Sequence, residues 1–428
     1  MIPLRGLSAI EAAARIGRGE LKAEALLRDC LDRIAEREPV VGAWQHLDAE
    51  AALARARALD AGARRGPLHG LPIAVKDLLD TAAMPTEYGT TIYAGHRPVA
   101  DASCVAMARR AGAIVVGKSV TTELANYTPG KTVNPLNPAH TPGGSSSGSA
   151  AAVADHMAPL AFGTQTAGSI IRPAAFCGVV GYKPTFGVIP RAGAKPLSDT
   201  LDTVGVIARS VEDCGFFAAA LTGRSELRVA EGVLRTSLRV GMCRTHEWPQ
   251  AQPETIEAFE RAAGRLAKQG LRAVEATLSS EFAGLAAAQT EIMGYEMARS
   301  LAWERFERGD KLSERLRGVL DAGWQVTHAR YDEAQAHAVR CRAAIADVFR
   351  EHDVLIAPAT LGEAPKGHAT TGDPLFCRIW TLLHLPCITV PAGVGPNGLP
   401  VGLQIIGRLG DDARLLEAAA ALAPTIAG

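Results

Sequence analysis

A segment of small residues between Pro142 and Pro173 constrains this chain more than any other part of its sequence. It reads PGGSSSGSAAAVADHMAPLAFGTQTAGSIIRP and combines glycines, serines and one arginine with almost no other charge. Glycine lets backbone N–H groups approach a bound molecule closely, and serine supplies a hydroxyl that attacks or carries a proton. The composition therefore indicates a loop-rich site for chemistry on a neutral bond.

A serine nucleophile needs a base, and the sequence offers a lysine upstream. Lys76 directly follows the apolar run from Leu71 to Val75, which is typical of a buried strand. Burial disfavours the charged ammonium, and a fall of roughly 2–3 units from a pKa of about 10.4 makes a lysine a competent base near neutral pH. The pattern predicts Lys76 in that role.

Three segments carry a resemblance to the amidase signature family, whose members hydrolyse amides with one lysine and two serines. They are AVKD with Lys76, PGGSSSGSAAA with Ser145, and GTQTAGSIIRPAAFCGVVGYKPT with Ser169, in the family's order. The separation of 24 residues between Ser145 and Ser169 also equals the family's usual spacing. The resemblance implies that Ser169 is the nucleophile and that Ser145, on a cis peptide bond, passes its proton to neutral Lys76.

The resemblance also implies an oxyanion hole formed by the residues before Ser169, namely Thr166, Ala167 and Gly168. Preorganised N–H donors in such a hole stabilise the tetrahedral intermediate by roughly 3–4 kcal/mol each. Two residues depart from the common family pattern, since Ala167 replaces a glycine and Gln165 replaces an aspartate that many relatives carry. We expect the methyl group of Ala167 to fit if the backbone φ of that residue is negative.

Arg172 is the predicted substrate-binding residue, because a guanidinium pairs bidentately with a carboxylate. Its place three residues after Ser169, in SIIRP, is similar to that in malonamidase-like members of the family, and this similarity implies a small carboxylated amide such as malonamate. The alternative is that Arg172 braces the loop through backbone carbonyls. Tyr127, Thr128 and the loop 371–374 are further expected pocket walls by family position.

Other motif interpretations fail because the sequence lacks residues or elements that their mechanisms require. Residues 143–149 match the first part of a phosphate-binding loop, but Ser149 stands where that loop needs lysine, and no strand precedes it. Residues 144–148 match the nucleophile elbow of α/β-hydrolases, which likewise needs a preceding strand and a later histidine. None of the 11 histidines has zinc-ligand spacing to another histidine or a cysteine, and the 8 cysteines form no CxxC pair. We therefore expect no metal, no organic cofactor and no disulfide framework.

Composition bounds the partners and the compartment. The 428 residues carry 45 basic and 45 acidic side chains without a basic block, so the charge does not suggest a nucleic acid partner. Neither a signal peptide nor a stretch of about 20 apolar residues is visible, so the sequence predicts a cytoplasmic protein without a membrane partner. The expected partner is a small-molecule amide, with a homodimer as a further expectation.

Periodicity predicts alternating helices and strands. The N-terminal 65 residues are interpreted as helices, with Ser8 and Glu11 as a capping box. Strands are predicted at 71–75, 113–116, 238–242, 353–357, 387–392 and 401–407. Helices are predicted at 22–37, 48–61, 103–111 and 411–422, with a further apolar helical face from Ile256 to Leu266. We expect Ser210 and Asp213 to cap a helix, and Asp202 to have a structural role.

These elements predict an α/β fold with a large mixed β-sheet flanked by helices on both faces, which is also the fold that the resemblance implies. One domain spanning 1–428 is preferred over the three that length alone allows. Within it, 1–65 form a helical lead, 66–224 the catalytic core with the signature, 225–345 a mainly helical cover, and 346–428 a return to the sheet.

The predicted function is an amidohydrolase that forms an acid and ammonia or an amine through an acyl-Ser169 intermediate. One alternative is the glutamine-hydrolysing component of a tRNA-dependent amidotransferase, although Gln165 and the SIIRP spacing weigh against it. The other is a catalytically silent scaffold, which the intact Lys76, Ser145 and Ser169 oppose.

Overall fold

One eleven-stranded sheet organises the molecule in the computed structural model, which describes residues 3–229 and 237–428. The strands are β1 (Trp44–Leu47), β2 (Pro72–Lys76), β3 (Ile114–Ser119), β4 (Leu160–Gln165), β5 (Val180–Lys183), β6 (Thr203–Ala208), β7 (Arg239–Met242), β8 (Arg272–Glu275), β9 (Val354–Pro358), β10 (Cys387–Val394) and β11 (Pro400–Ile406). Their order across the sheet is β1-β3-β2-β4-β6-β5-β10-β11-β9-β7-β8.

The sheet is mixed. Parallel pairs form at two places, around β2 with its neighbours β3 and β4, and around β7 with its neighbours β8 and β9. The remaining pairs are antiparallel, and they include the long hairpin of β10 and β11 in the middle of the sheet. The predicted α/β class with a large mixed sheet in a single domain is therefore confirmed.

Fourteen α-helices surround the sheet in the described residues. They are α1 (Ala9–Gly17), α2 (Ala23–Val41), α3 (Ala49–Asp60), α4 (Ser103–Arg110), α5 (Ser147–Ala154), α6 (Ile171–Cys177), α7 (Val211–Thr222), α8 (Pro253–Lys268), α9 (Leu285–Ser300), α10 (Ala302–Glu307), α11 (Glu314–Gln325), α12 (His328–Glu351), α13 (Leu375–Leu382) and α14 (Asp412–Ala427).

Both faces of the sheet are covered by these helices. Successive side chains of a strand point to opposite faces, and in β2 Ile73 and Val75 enter one apolar cluster while Ala74 enters another. The first cluster includes residues of α1, α4, α7, α8 and α14, and the second includes residues of α3, α5 and α6. A third cluster packs Leu355 and Ala357 of β9 against α9, α12 and α13. Strands buried on both sides explain the nearly continuous apolar runs in the sequence.

The predicted capping residues lie where the sequence indicates. The Ser8 hydroxyl accepts a hydrogen bond from the Glu11 backbone N–H at the start of α1, and the Ser210 hydroxyl accepts one from Asp213 N–H at the start of α7. The Asp213 carboxylate in turn accepts the backbone N–H groups of Ala9 and Ile10, each at 3.0 Å. The N-terminal lead is thereby fastened to the core; it is not wholly helical as expected, because β1 lies between α2 and α3 and pairs with β3 at the edge of the sheet.

The segment 225–345 contains the helices α8 to α11, most of α12 and also two strands. Of these, β7 lies in the predicted run at 238–242, whereas β8 has no counterpart among the predicted strands. Because β7 pairs with β9 and β8 extends the edge, this segment completes the sheet as well as covering it. No helix in residues 3–229 or 237–428 has both the length and the apolar character needed to cross a membrane.

Candidate active site

Lys76 is the last residue of β2 and is fully buried. Burial lowers the pKa of its ammonium well below the ordinary value, because the charged form loses its hydration. The carboxylate of Asp202 opposes this fall in pKa by stabilising the positive charge. The Lys76 side chain is thus suited to be a neutral amine, which can accept a proton.

The Lys76 side chain contacts the predicted relay serine. Its Nζ donates to Ser145 Oγ at 2.7 Å and to Thr164 Oγ1 at 2.7 Å. The peptide bond between Gly144 and Ser145 is cis, as the resemblance implied. Ser147, in the first turn of α5, donates its hydroxyl to Gly143 O at 2.9 Å and closes the loop that carries Ser145.

Ser169 lies between β4 and α6, where the chain turns from strand to helix. It is 9% exposed, and its carbonyl oxygen accepts the Ser146 N–H at 3.2 Å, which joins the two halves of the signature. Within residues 3–229 and 237–428, the hydroxyls of Ser145 and Ser169 form no hydrogen bond with each other. The structure therefore brings Lys76 and Ser145 into contact and Ser169 next to their loop.

The turn before Ser169 is held by Gln165. Its Oε1 accepts the N–H groups of Ile170 and Ile171 at 2.9 and 3.1 Å, while its Nε2 donates to Thr381 Oγ1 at 2.9 Å. An aspartate in this place has no N–H to give to Thr381. Glutamine at this position therefore provides an N–H donor that the Thr381 hydroxyl of α13 accepts.

The predicted oxyanion donors are free to receive a ligand. Within the described chain, no backbone hydrogen bond uses the N–H groups of residues 166–169. The φ of Ala167 is outside the left-handed region, so its methyl group adds no backbone strain. A Cβ on Gly168 would lie 2.8 Å from Pro374 Cβ, so this position requires glycine. The expectation that Ala167 fits is met.

A narrow cavity of about 30 Å³ adjoins Ser169. It is lined by residues of the signature turn, of the loop after β3, of the loops 195–202 and 371–374, and of the helical cover: Ala125, Asn126, Tyr127, Thr166, Ala167, Ser169, Arg172, Leu197, Met293 and Pro374. Tyr127, an expected pocket wall, is one of these lining residues. Thr128 does not line this cavity, and its hydroxyl instead lies 2.8 Å from that of Ser313.

Arg172 is buried and bound to backbone carbonyls. Its Nη1 donates to Gly372 O at 2.9 Å, and its Nη2 donates to Gly144 O at 2.7 Å and to Thr371 Oγ1 at 3.2 Å. Burial lowers the pKa of its guanidinium to about 10. These contacts match the bracing alternative, and they join the cis peptide to the loop 371–374.

Several residues at the site were missed by sequence reasoning. Thr164 accepts a hydrogen bond from Lys76. It lies two residues before Thr166, and in an extended segment this spacing places both side chains on the same face. This signal is visible in the sequence. Gln289 comes from α9 and donates its Nε2 to Thr166 O at 3.0 Å. No local pattern connects α9 with the signature, so only the tertiary fold reveals this contact.

A larger cavity of about 380 Å³ lies on the Asp202 side of the site. It is lined by Thr164 and Asp202 and by the loop 191–196, but not by Ser169. The smaller cavity, which Ser169 lines, is therefore the candidate site of chemistry. Across the described ranges, no three His, Cys, Asp or Glu side chains are grouped as they are in a metal site.

Comparisons with known proteins agree with this geometry. A family model described as Amidase matches residues 25–416. The chain is 35% identical over 473 aligned positions to the A component of the glutamyl-tRNA(Gln) amidotransferase from Acidothermus cellulolyticus, covering 97% of this chain and 93% of that protein. It is 32% identical to a crystal structure of an amidase, with a TM-score of 0.88 and coverage of 97% and 99%. The native peptide amidase of Stenotrophomonas maltophilia is 29% identical, with a TM-score of 0.81 and coverage of 99% and 98%. The chain belongs to the amidase family, a family of hydrolases that act on the C–N bonds of amides.

Proposed function

We propose that this protein hydrolyses an amide through an acyl-Ser169 intermediate, with Lys76 as the base and Ser145 as the proton relay. The observation that carries the proposal is the 2.7 Å contact between Lys76 Nζ and Ser145 Oγ in a buried setting that lowers the lysine pKa. A neutral amine and a hydroxyl at this distance form the start of a proton path.

In the first step, Ser169 Oγ attacks the amide carbon and gives its proton to Ser145 Oγ, while the Ser145 proton moves to Lys76 Nζ. The amide oxygen becomes an oxyanion, which the free N–H groups of residues 166–169 stabilise. When the tetrahedral intermediate collapses, the C–N bond breaks and the same path returns the proton to the departing nitrogen. Ammonia or an amine leaves, and the acyl group stays on Ser169 as an ester.

In the second step, water attacks the ester carbon and loses a proton along the same path. Collapse of this second intermediate breaks the bond to Ser169 Oγ, which regains its proton and releases the carboxylic acid. The relay is restored without an external acid, base or metal.

The pocket supports a small acyl group of low charge. Arg172 is the one charged side chain lining the cavity in the described residues, and both of its terminal nitrogens are bound to carbonyls. The geometry therefore favours a neutral acyl group over malonamate. The similarity to malonamidase-like members, and with it a carboxylated substrate, rests on the SIIRP spacing alone.

A second candidate is glutamine hydrolysis as part of an amidotransferase, which the 35% identity to a component of a glutamyl-tRNA(Gln) amidotransferase favours. Glutamine carries an α-ammonium and an α-carboxylate that both need partners when buried. The lining of the cavity supplies only Arg172 among charged residues of the described chain, which weighs against this candidate.

Ammonia release from a panel of amides tests the proposal. The panel compares malonamate and glutamine with neutral aliphatic, aryl and peptide amides for the native protein, Ser169→Ala and Arg172→Met. We expect neutral amides to be hydrolysed, Ser169→Ala to lose turnover, and Arg172→Met to lose activity on every amide because the loop that carries Ser145 loses its bond from Arg172 to Gly144 O.

Each other outcome has a distinct meaning. If Arg172→Met loses only the carboxylated substrates, Arg172 binds a substrate carboxylate. If glutamine is hydrolysed only when partner proteins are added, the amidotransferase assignment is correct. Undiminished turnover in Ser169→Ala, or a native protein whose Ser169 does not react with a fluorophosphonate, would overturn the proposed chemistry.

A further inference from the structure

Glu296 is a nearly buried carboxylate on α9 that takes no part in the proposed proton path. It accepts the Ser198 hydroxyl at 2.5 Å, the Thr200 N–H at 3.0 Å and the Thr200 hydroxyl at 2.7 Å. It also accepts the Tyr331 hydroxyl of α12 at 2.8 Å. A single carboxylate thus joins α9 to the loop 195–202 and to a second helix of the cover.

The loop 195–202 is continuous with the oxyanion hole. Asp202 accepts the Leu197 and Ser198 N–H groups at 2.8 and 3.0 Å, and its other oxygen accepts the Thr166 hydroxyl at 2.6 Å. Hydrogen bonds therefore connect Glu296 to Thr166 through Ser198 and Asp202. Glu296, Ser198 and Thr166 are buried, so competition with water does little to weaken the bonds of this path.

Two residues that line the cavity beside Ser169 depend on the same path of hydrogen bonds from Glu296. Leu197 lines the cavity beside Ser169 and precedes the serine that Glu296 holds. Met293 also lines the cavity and is three residues, nearly one helical turn, before Glu296 on α9. The distance between these two walls is therefore set where α9 meets the loop.

A second acidic residue of the cover reinforces this loop. Glu304 of α10 pairs with Lys195, and it accepts the Tyr93 hydroxyl at 2.5 Å. Glu304 binds the beginning of the loop, whereas Glu296 binds the part that leads into Asp202. Glu296 is therefore the closer of the two to the oxyanion hole along the hydrogen-bonded path.

We propose that Glu296 is a positioning residue, which fixes the loop 195–202 so that Thr166 is oriented for oxyanion binding and Leu197 and Met293 are held at the spacing that selects the acyl group. This inference rests on the proposed acyl-Ser169 chemistry. It gives a residue of the helical cover, outside the signature segments, a role in positioning the oxyanion hole.

Steady-state kinetics of Glu296→Gln test the inference, with Glu291→Gln as the matched control. Glu291 is on the same helix and pairs with Arg330 at the surface, so its substitution removes a carboxylate without touching the loop. We expect Glu296→Gln to lower kcat at least about tenfold with KM changed less than about threefold, which indicates loss of an interaction made in the transition state. Affinity for an aldehyde analogue of the acyl group, which forms a tetrahedral adduct on Ser169, should fall by the same factor as kcat.

A double-mutant cycle shows whether Glu296 acts through Thr166. Thr166→Val keeps the backbone N–H but removes the hydroxyl that Asp202 accepts, so its effect should not add to that of Glu296→Gln. Additive effects, or kinetics of Glu296→Gln equal to those of Glu291→Gln, would overturn the inference. So would a loss confined to KM.

A second variant covers the case in which Glu296→Gln does not fold. Ser198→Ala removes one donor to Glu296 and leaves the Ser198 N–H bound to Asp202, and we expect it to shift kcat and aldehyde affinity in the same direction by a smaller factor. Unchanged kinetics of Ser198→Ala would then contradict the inference. Ser169→Ala, measured in parallel, separates the two claims: if it abolishes turnover while the Glu296 and Ser198 variants do not lower kcat, the proposed function stands and the positioning role fails.

Discussion

At the scale of single residues, the basicity of Lys76 depends on two opposing effects. Burial removes water from the ammonium and favours the neutral amine, while the Asp202 carboxylate favours the charged form. Burial is the larger effect, so the pKa is lowered. Asp202 therefore influences the charge state of Lys76 and also accepts a hydrogen bond from the Thr166 hydroxyl, next to the predicted oxyanion donors.

We predict that kcat/KM rises with pH through the lowered pKa of Lys76, because the neutral amine is the active form. Asp202→Asn removes the negative charge that stabilises the ammonium, so the pKa falls further and the rising limb moves to lower pH. The maximal rate should also fall, since Thr166 loses its carboxylate partner. A pH–rate profile measures both effects.

Asp199→Asn is the control for this prediction. Asp199 is exposed on the same loop, and its substitution changes the net charge by the same amount. We expect its profile to match that of the native protein. A rising limb that moves to higher pH in Asp202→Asn would contradict the assignment of Lys76 as the base.

At the scale of secondary structure, α5 packs so closely on the sheet that its first turn requires glycine. A Cβ on Gly148 would lie 2.1 Å from Ala43 O and 2.4 Å from Val120 N. We predict that Gly148→Ala destabilises the protein by about 1–3 kcal/mol, because backbone atoms must move to make room. It should also lower activity, since α5 follows Ser145.

Gly264→Ala is the matched control in α8. The space around Gly264 is open, so the substitution should stabilise the helix by about 0.5–1 kcal/mol. Denaturant unfolding followed by circular dichroism compares the two variants. Equal stability of both variants would show that the close approach at Gly148 is absent.

The link between the lead and the core provides another test. Asp213 is fully buried and accepts two N–H groups at the start of α1. We predict that Asp213→Ala lowers the free energy of unfolding by about 3 kcal/mol, because each hydrogen bond to a charged group contributes about 1.5–3 kcal/mol. Denaturant unfolding and limited proteolysis of the lead measure this loss, and Glu212→Gln, at the neighbouring position, should behave as the native protein does.

Sequence patterns located the elements that have strong apolar runs or helical periodicity. β2, β3, β9, β10 and β11 all begin within two residues of their predicted positions. Five strands, β1, β4, β5, β6 and β8, have no counterpart among the predicted strands. A Cβ on Gly205 would lie 2.3 Å from Tyr182 O, so this glycine serves the packing of neighbouring strands, which is a tertiary requirement.

At the scale of the whole molecule, the candidate catalytic residues have local sequence signals, whereas the residues of α9 that support them have none. Lys76, Ser145 and Ser169 are embedded in specific motifs, whereas Gln289 and Glu296 are ordinary residues of a long helix. Their roles arise from contacts over about a hundred residues or more of chain, such as the 98 that separate Ser198 from Glu296. Local periodicity contains no information on such contacts.

The homodimer stays a prediction at this scale. We expect sedimentation of the purified protein to give twice the chain mass of 44.8 kDa. A single species at the chain mass across the micromolar range would contradict it. The measurement needs no variant and can accompany the kinetic work.

The order of strands in the sheet has a consequence for biosynthesis. β10 and β11 lie between β5 and β9, yet they are the last two strands to leave the ribosome. Until residue 406 has been translated, β5 and β9 each lack a neighbour and expose unpaired backbone groups, the kind of edge that promotes aggregation. At about 5–20 residues per second, the roughly 220 residues from the end of β5 to the end of β11 take about 11–45 s to translate, and the edge of β5 stays open for that time. Termination of synthesis between β9 and β10 therefore leaves a chain with two unpaired, aggregation-prone strand edges in place of a shortened enzyme.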